Sequence, residues 1–183
     1  MFEPIIQEIF TQEQCQEIIS AFDSSALVPD DFGYSPNSFG IANLPSANKH
    51  SLLLTEKMFE AFRNPGSESR IRFKNSYTRK YLYGSELKLH VDRPGLDITL
   101  SVCLEIPENF HWPLKVSNVK WLEGDWNNTL SDYSSWTNDY TGYDLQVGQG
   151  AFALGRKYPH WRDPFPGQEN QRAVYVFYHW EAI

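Results

Sequence analysis

From about residue 70 onward, the chain is a succession of short apolar or alternating segments separated by turn residues. The strand-like segments are 71–83, 87–91, 98–106, 113–121, 151–154 and 173–178. Many short strands with turn residues between them are typical of an antiparallel sandwich or barrel. We therefore predict a mainly β structure for about 70–180, and we expect the polar, aromatic-rich segment 122–143 to be an insertion loop over one mouth of the barrel.

The first third of the sequence has a helical character instead. Residues 11–14 (TQEQ) match a capping box, in which two side chains satisfy free N–H groups at a helix start. The apolar residues that follow at three-and-four spacing are Cys15, Ile18, Ile19 and Phe22. A second helix is predicted over 51–62, ended by Asn64-Pro65-Gly66, and 23–48 is predicted to be an irregular connection. The helices would flank the barrel.

The length and composition favour one globular domain over 1–183, with a helical part at about 1–66 and the barrel at about 70–180. No stretch approaches the roughly 18–20 apolar residues of a membrane span. The N-terminus has no signal-peptide pattern, and two cysteines are too few for a disulfide framework. We therefore expect a cytoplasmic protein. A net charge of −7 disfavours nucleic acid as a partner.

One short motif carries most of the chemistry. His90 and Asp92 are two residues apart at the end of a predicted strand, so both side chains point to the same face. Two imidazoles and one carboxylate, with three coordination positions left open, are the ligand set of a non-haem Fe(II) oxygenase. The alternative interpretation is a surface histidine followed by a turn-forming aspartate.

The third ligand must come from a distant part of the chain. The other histidines are His50, His111, His160 and His179. We predict His160, because the glycine-bounded strand 148–155 would carry it back to the barrel. It is also followed by Arg172 at the head of an apolar strand. An inward-facing Arg172 could bind a dicarboxylate cosubstrate beside the metal, and Arg162, two residues after His160, is a competing carboxylate binder.

These motifs resemble the 2-oxoglutarate- and Fe(II)-dependent oxygenases, especially their prolyl 4-hydroxylase-like branch. The resemblance rests on 79–84 (RKYLYG) leading to 90–92 (HVD), and on 160–167 (HWRDPFPG) followed by Arg172. It covers most of 71–180 and, more loosely, the first helix. A tyrosine common in that branch is not evident here, and Cys103 or a neighbour lies near its place. The interval from His160 to Arg172 is also slightly longer than in many members.

The resemblance implies a double-stranded β-helix, a jelly-roll or cupin-like barrel, with helices packed on one sheet. It implies Fe(II) bound by His90, Asp92 and His160, with 2-oxoglutarate as cosubstrate, O2 as co-reactant and ascorbate as a candidate reductant. Arg172 would bind the distal carboxylate of 2-oxoglutarate, and Tyr81 would add a hydrogen bond. The reaction would be the hydroxylation of a C–H bond in a peptide residue, an amino acid or a small metabolite.

Two alternatives remain open at this point. A cupin-like metal enzyme that works without 2-oxoglutarate could use a similar barrel and would not need Arg172. A binding module without catalytic activity could carry His90, Asp92 and His160 as ordinary polar residues. The oligomeric state does not follow from the sequence.

Overall fold

The structure, a computed structural model, describes residues 3–29, 37–62, 71–121 and 133–183. Its helices are α1 (Gln12–Asp23), α2 (Pro45–Asn48), α3 (Ser51–Ala61) and α4 (Tyr133–Thr137). Its strands are β1 (Ile5–Glu8), β2 (Val28–Pro29), β3 (Ser38–Ala42), β4 (Ile71–Leu82), β5 (Leu87–His90), β6 (Ile98–Glu105), β7 (Leu114–Ser117), β8 (Tyr140–Tyr143), β9 (Gln149–Ala153), β10 (His160–Arg162) and β11 (Arg172–Ala182).

The described strands form two antiparallel sheets. The major sheet has seven strands in the order β1-β9-β6-β11-β4-β3-β2, and the minor sheet has four in the order β5-β10-β7-β8. The longest pairing joins β4 and β11, from Arg172 opposite Leu82 to Ala182 opposite Ile71. This arrangement confirms the predicted mainly β class with flanking helices.

The two faces of the major sheet belong to different cores. Side chains alternate between the faces of a strand, and in β11 Val174 and Val176 pack in the cluster that includes the helices. The intervening Tyr175 and Phe177 pack in a second cluster, together with residues of the minor sheet such as Leu114. We call the face that carries Tyr175 and Phe177 the barrel interior, and the opposite face the helix side.

Helix α1 begins and packs as the sequence predicts. Thr11 is its N-cap, and the Thr11 and Gln14 side chains make both hydrogen bonds of the capping box. Its buried residues are Cys15, Ile18, Ile19 and Phe22. Burial of this apolar stripe on the helix side fixes the helix against the major sheet.

Several short elements were not predicted. The segment 23–48 contains β2, β3 and α2 in place of an irregular connection, and β3 pairs with β4 in register. The predicted loop 122–143 contains α4 and also β8, which pairs with β7. The rest of that loop, 122–132, and the predicted helix end at 64–66 lie outside the described residues.

Short strands such as β8 and β10 have too few residues for a periodic signal, so only their partner strands define them. None of the described helices combines the length with the apolar character that a bilayer crossing requires.

Candidate metal centre

Three side chains converge where the minor sheet meets its neighbouring loop. His90 is the last residue of β5, and His160, the first residue of β10, lies directly opposite it in the antiparallel register. Asp92 follows β5 by two residues, and its backbone N–H donates to the carbonyl of Gly155 at 3.0 Å. Strand pairing therefore brings together residues that are 70 positions apart in the sequence.

The ligand atoms of these residues face one another. The Nε2 atoms of His90 and His160 lie 3.6 Å and 3.8 Å from Oδ1 of Asp92. One potential ligand atom from each residue lies within 4.8 Å of the other two. For a cation bound at about 2.1 Å, ligand atoms are separated by up to roughly 4 Å, so small side-chain movements suffice to place all three on one ion. Among the described residues, His90, Asp92 and His160 form the group of histidine, cysteine or acidic side chains whose potential ligand atoms lie this close together.

The ring nitrogens that do not face the centre are held by backbone carbonyls. Nδ1 of His90 lies 2.7 Å from the carbonyl oxygen of Lys88, and Nδ1 of His160 lies 3.0 Å from that of Tyr158. A carbonyl only accepts, so each Nδ1 carries the proton and each Nε2 keeps its lone pair. Backbone support of this kind fixes the tautomer and ring orientation that metal coordination requires.

The charge states also suit a cation. Burial and the neighbouring His90 lower the pKa of His160 to about 4, so its imidazole is neutral at neutral pH. Burial by itself would raise the pKa of Asp92, but the neighbouring His160 and His90 hold that pKa below the ordinary value. The centre therefore presents a neutral His160 imidazole and a carboxylate beside the His90 ring, a donor set that fits a divalent iron-type cation.

The second oxygen of Asp92 is held from the opposite side. The Thr99 hydroxyl donates to Oδ2 at 2.5 Å. Gly155 packs so closely on this oxygen that an added Cβ would overlap it. Neither residue belongs to the sequence-based prediction. A signal existed for Thr99, because Thr99 and Ser101 are polar positions in the otherwise apolar run 98–104, and they lie on one face of β6.

Arg162 lies near this centre and in the barrel interior. It is 1% exposed, and its guanidinium carbon lies 4.2 Å from the ring centroid of Tyr175 and 5.4 Å from that of Trp112. Its Nε, Nη1 and Nη2 atoms are buried without a hydrogen-bond partner in the part of the chain that the structure describes. Trp161, between His160 and Arg162, packs in a separate cluster with Leu89.

Arg172 does not face the barrel interior, and the orientation predicted for it is wrong. Its Nη1 and Nη2 donate to the two oxygens of Asp23, at the end of α1, at 2.7 Å and 2.9 Å. Its Nε donates to both oxygens of Glu105 at 3.0–3.1 Å. The physical reason is the period of β11: Arg172 shares its face with Val174 and Val176, which point to the helix side.

Tyr81 does reach the barrel interior. It is fully buried, its ring centroid lies 4.9 Å from that of Trp112, and its hydroxyl accepts from Nη1 of Arg79 at 3.2 Å. Its ring also packs edge-on against Tyr175. Tyr81 therefore lies in the same aromatic cluster as the Arg162 guanidinium.

Comparison with known proteins gives no match to a protein-family model and none to a curated protein. Solved structures do match. HygX from Streptomyces hygroscopicus, with nickel, 2-oxoglutarate and hygromycin B bound, has a TM-score of 0.69 and 11% identity, covering 97% of this chain and 82% of its own. The viral collagen prolyl hydroxylase of Paramecium Bursaria Chlorella virus-1, in a 2OG complex, has a TM-score of 0.65 and 15% identity, covering 99% and 96%.

A third similar structure is the non-heme alpha ketoglutarate dependent epimerase SnoN from nogalamycin biosynthesis. It has a TM-score of 0.69 and 11% identity, covering 97% of this chain and 78% of its own. At these identities the likeness establishes the fold. The chain has the double-stranded β-helix fold of these structures, and that part of the sequence-based prediction is confirmed.

Proposed function

We propose that the chain is an Fe(II)- and 2-oxoglutarate-dependent oxygenase. In this proposal His90, Asp92 and His160 hold the metal, and Arg162 binds the distal carboxylate of 2-oxoglutarate. The observation that carries the proposal is the convergence of two Nε2 atoms and Oδ1 of Asp92 on one point, with both histidine tautomers fixed by backbone carbonyls. The fold shared with the 2-oxoglutarate-binding structures supports it.

When bound, the iron would supply the redox chemistry of the reaction, in which 2-oxoglutarate, O2 and a substrate C–H bond give succinate, CO2 and a hydroxylated carbon. The protein side chains have other tasks. His90 and His160 offer fixed lone pairs, and Asp92 offers one negative charge, which balances one of the two positive charges of the cation. Three protein ligands on one side leave the remaining coordination positions for the cosubstrate and O2.

Arg162 is suited to the distal carboxylate for two reasons. A buried guanidinium without a hydrogen-bonded partner is strongly unfavourable, and a carboxylate would supply both the counter-charge and the acceptors. Its position is also suitable. Residues two apart on a strand are about 7 Å apart, so a five-carbon diacid can extend from the ligand cluster at His160 to Arg162. We therefore assign to Arg162 the role that the sequence resemblance gave to Arg172.

The rings around Arg162 define the rest of this subsite. Tyr175 and Trp112 cover the guanidinium, and Tyr81 packs edge-on against both rings. Such a lining excludes water and strengthens the attraction between Arg162 and a carboxylate. Tyr81 would contribute its ring to this wall, and its hydroxyl would remain paired with Arg79.

We further propose hydroxylation as the reaction and a small molecule or a peptide as the substrate. The similar structures include a prolyl hydroxylase and a protein, HygX, with hygromycin B bound. They also include an epimerase. The reaction type must therefore be tested on this chain.

The test is release of succinate from 2-oxoglutarate by the purified protein with Fe(II), ascorbate and O2. We expect succinate in amounts equal to the 2-oxoglutarate consumed. His160→Ala should release none, while the control His111→Ala, at an exposed histidine paired with Asp144, should match the wild type. Loss of 2-oxoglutarate without succinate, or equal succinate from His160→Ala, would contradict the proposal.

A further inference from the structure

We infer that Thr99 and Gly155 are positioning residues that commit Asp92 to binding the metal through Oδ1 alone. The inference rests on the proposed function, because it concerns the same metal. It assigns roles to two residues that lie outside the ligand triad, on strand β6 and in the turn after β9.

Two hydrogen bonds fix Asp92, one to its main chain and one to its carboxylate. The backbone N–H of Asp92 donates to the carbonyl of Gly155 at 3.0 Å, which anchors the main chain. The Thr99 hydroxyl donates to Oδ2 at 2.5 Å, which fixes the rotation of the carboxylate. With Oδ2 held, Oδ1 is the oxygen that lies 3.6 Å and 3.8 Å from the two histidine Nε2 atoms.

A steric contact explains why residue 155 is a glycine. A Cβ at this position would overlap Oδ2 of Asp92 and would lie 2.9 Å from Oγ1 of Thr99. Gly155 is not among the glycines with positive φ, so the left-handed backbone that favours glycine is not what requires it here. The constraint is therefore contact with the carboxylate, and not the conformational freedom of glycine.

Burial makes these contacts consequential. Asp92 is 8% exposed and Thr99 is 6% exposed, so little water is available to replace a lost hydrogen bond. A buried carboxylate oxygen without its donor loses a charge-assisted hydrogen bond, and the carboxylate gains freedom to rotate. Outer partners of metal ligands typically contribute about 10–100-fold to metal affinity. We expect the Thr99 hydroxyl to contribute to metal affinity by a factor in this range.

The experiment is a titration of the purified protein with Mn(II), in which free Mn(II) is followed by electron paramagnetic resonance. Thr99→Val removes the hydroxyl and nearly conserves the side-chain shape, and we expect its dissociation constant to rise about 10-fold or more. Thr99→Ser restores the donor and should return affinity to within about 3-fold of the wild type. Gly155→Ala should weaken binding at least as much as Thr99→Val.

A matched control is available in the same sheet. Thr78 on β4 is also fully buried, and its hydroxyl has no hydrogen-bond partner among the described residues. Thr78→Val should therefore leave Mn(II) affinity unchanged. The absorption spectrum of bound Co(II) should change in Thr99→Val and not in Thr78→Val, because only the former alters how the carboxylate binds.

The outcomes separate this inference from the proposed function. If the wild type binds Mn(II) and Thr99→Val binds it equally well, the positioning role is wrong and the triad stands. If Thr99→Val does not fold, Gly155→Ala and Thr99→Ser carry the test, and wild-type affinity in Gly155→Ala overturns the inference. If the wild type binds no Mn(II), the metal centre itself is wrong, and the inference falls with it.

Discussion

The guanidinium carbon of Arg162 lies 4.2 Å from the ring centroid of Tyr175, and the Arg162 side chain is almost fully enclosed. Stacking on an aromatic ring offsets part of the cost of burying a cation. It offers no hydrogen-bond acceptor in the plane of the guanidinium, where the N–H groups point.

Arg162→Met should make the ligand-free protein more stable. Replacing a buried ion pair with apolar side chains of similar volume often stabilises a fold by about 1–4 kcal/mol. Because the Arg162 nitrogens are buried without a hydrogen-bond partner among the described residues, we expect an increase of about 1 kcal/mol or more in the free energy of unfolding. The same variant should bind 2-oxoglutarate at least about 100-fold more weakly in the Mn(II)-loaded form. Urea unfolding and calorimetric titration measure the two effects. Lower stability together with unchanged 2-oxoglutarate affinity would show that Arg162 is a structural residue.

Arg172→Gln should have the opposite pattern. It removes the ion pairs that Arg172 makes with Asp23 and Glu105. Because all three side chains are partly exposed, we expect a loss of about 1–2 kcal/mol in the free energy of unfolding. Affinity for 2-oxoglutarate should stay within about 2-fold of the wild type. A large loss of 2-oxoglutarate affinity in Arg172→Gln, without one in Arg162→Met, would return the carboxylate role to Arg172.

The stabilising effect of Arg172 should depend on pH. Hydrogen bonds from Arg172 lower the pKa of Asp23 below its ordinary value of 3.8. A carboxyl whose pKa is lower in the folded than in the unfolded chain stabilises the fold above its ordinary pKa, and this contribution is lost as the pH falls through the folded value. The stability difference between the wild type and Arg172→Gln should therefore be constant from pH 7 to about 5 and shrink below pH 3.8. Unfolding curves at these pH values give the difference, and one that grows on acidification would contradict the pairing.

His90→Ala, Asp92→Ala and His160→Ala should each abolish tight Mn(II) binding while the protein stays folded. Each side chain supplies one of three ligand atoms, and removal of any one leaves an incomplete set. The control is His179→Ala, at a half-buried histidine whose Nδ1 lies 2.9 Å from Oδ1 of Asn75. Equilibrium dialysis with circular dichroism checks both points. Loss of Mn(II) binding in His179→Ala, with binding retained in His160→Ala, would show that His179 and not His160 is the third ligand.

Thr11→Ala should cost about 1 kcal/mol in the free energy of unfolding, because it removes the side-chain acceptor for the N–H of Gln14 at the start of α1. Metal affinity should not change, since α1 packs on the helix side of the major sheet, away from the centre. Urea unfolding of the variant beside the wild type measures the cost. An unchanged midpoint would mean that the capping box adds nothing to stability.

Much of this architecture follows from local patterns. The capping box, the long strands β4, β6 and β11 and the two-residue spacing of His90 and Asp92 depend on neighbouring residues, so the sequence suffices to predict them. The short strands β8 and β10 depend on their partners, and the sequence did not predict them.

The site was less predictable because it depends on the exact phase of each strand. A shift of one residue moves a side chain to the other face of the sheet. The sequence places Arg172 at the head of β11, but only the register shows that its face is the helix side and that Arg162 lies inside. Likewise, the contact of Thr99 with Asp92 requires the packing of β6 beside the end of β5, which no local pattern encodes.

The most direct test is a calorimetric titration of 2-oxoglutarate into the wild-type protein, with and without one equivalent of Mn(II) under anaerobic conditions. In our proposal the His90–Asp92–His160 centre and Arg162 form one composite site, so neither half alone should bind the diacid tightly. We predict one 2-oxoglutarate per chain with Mn(II), and affinity at least about 100-fold weaker without it or in Arg162→Met. Binding of equal strength in the presence and absence of Mn(II), or none in either, would contradict the account.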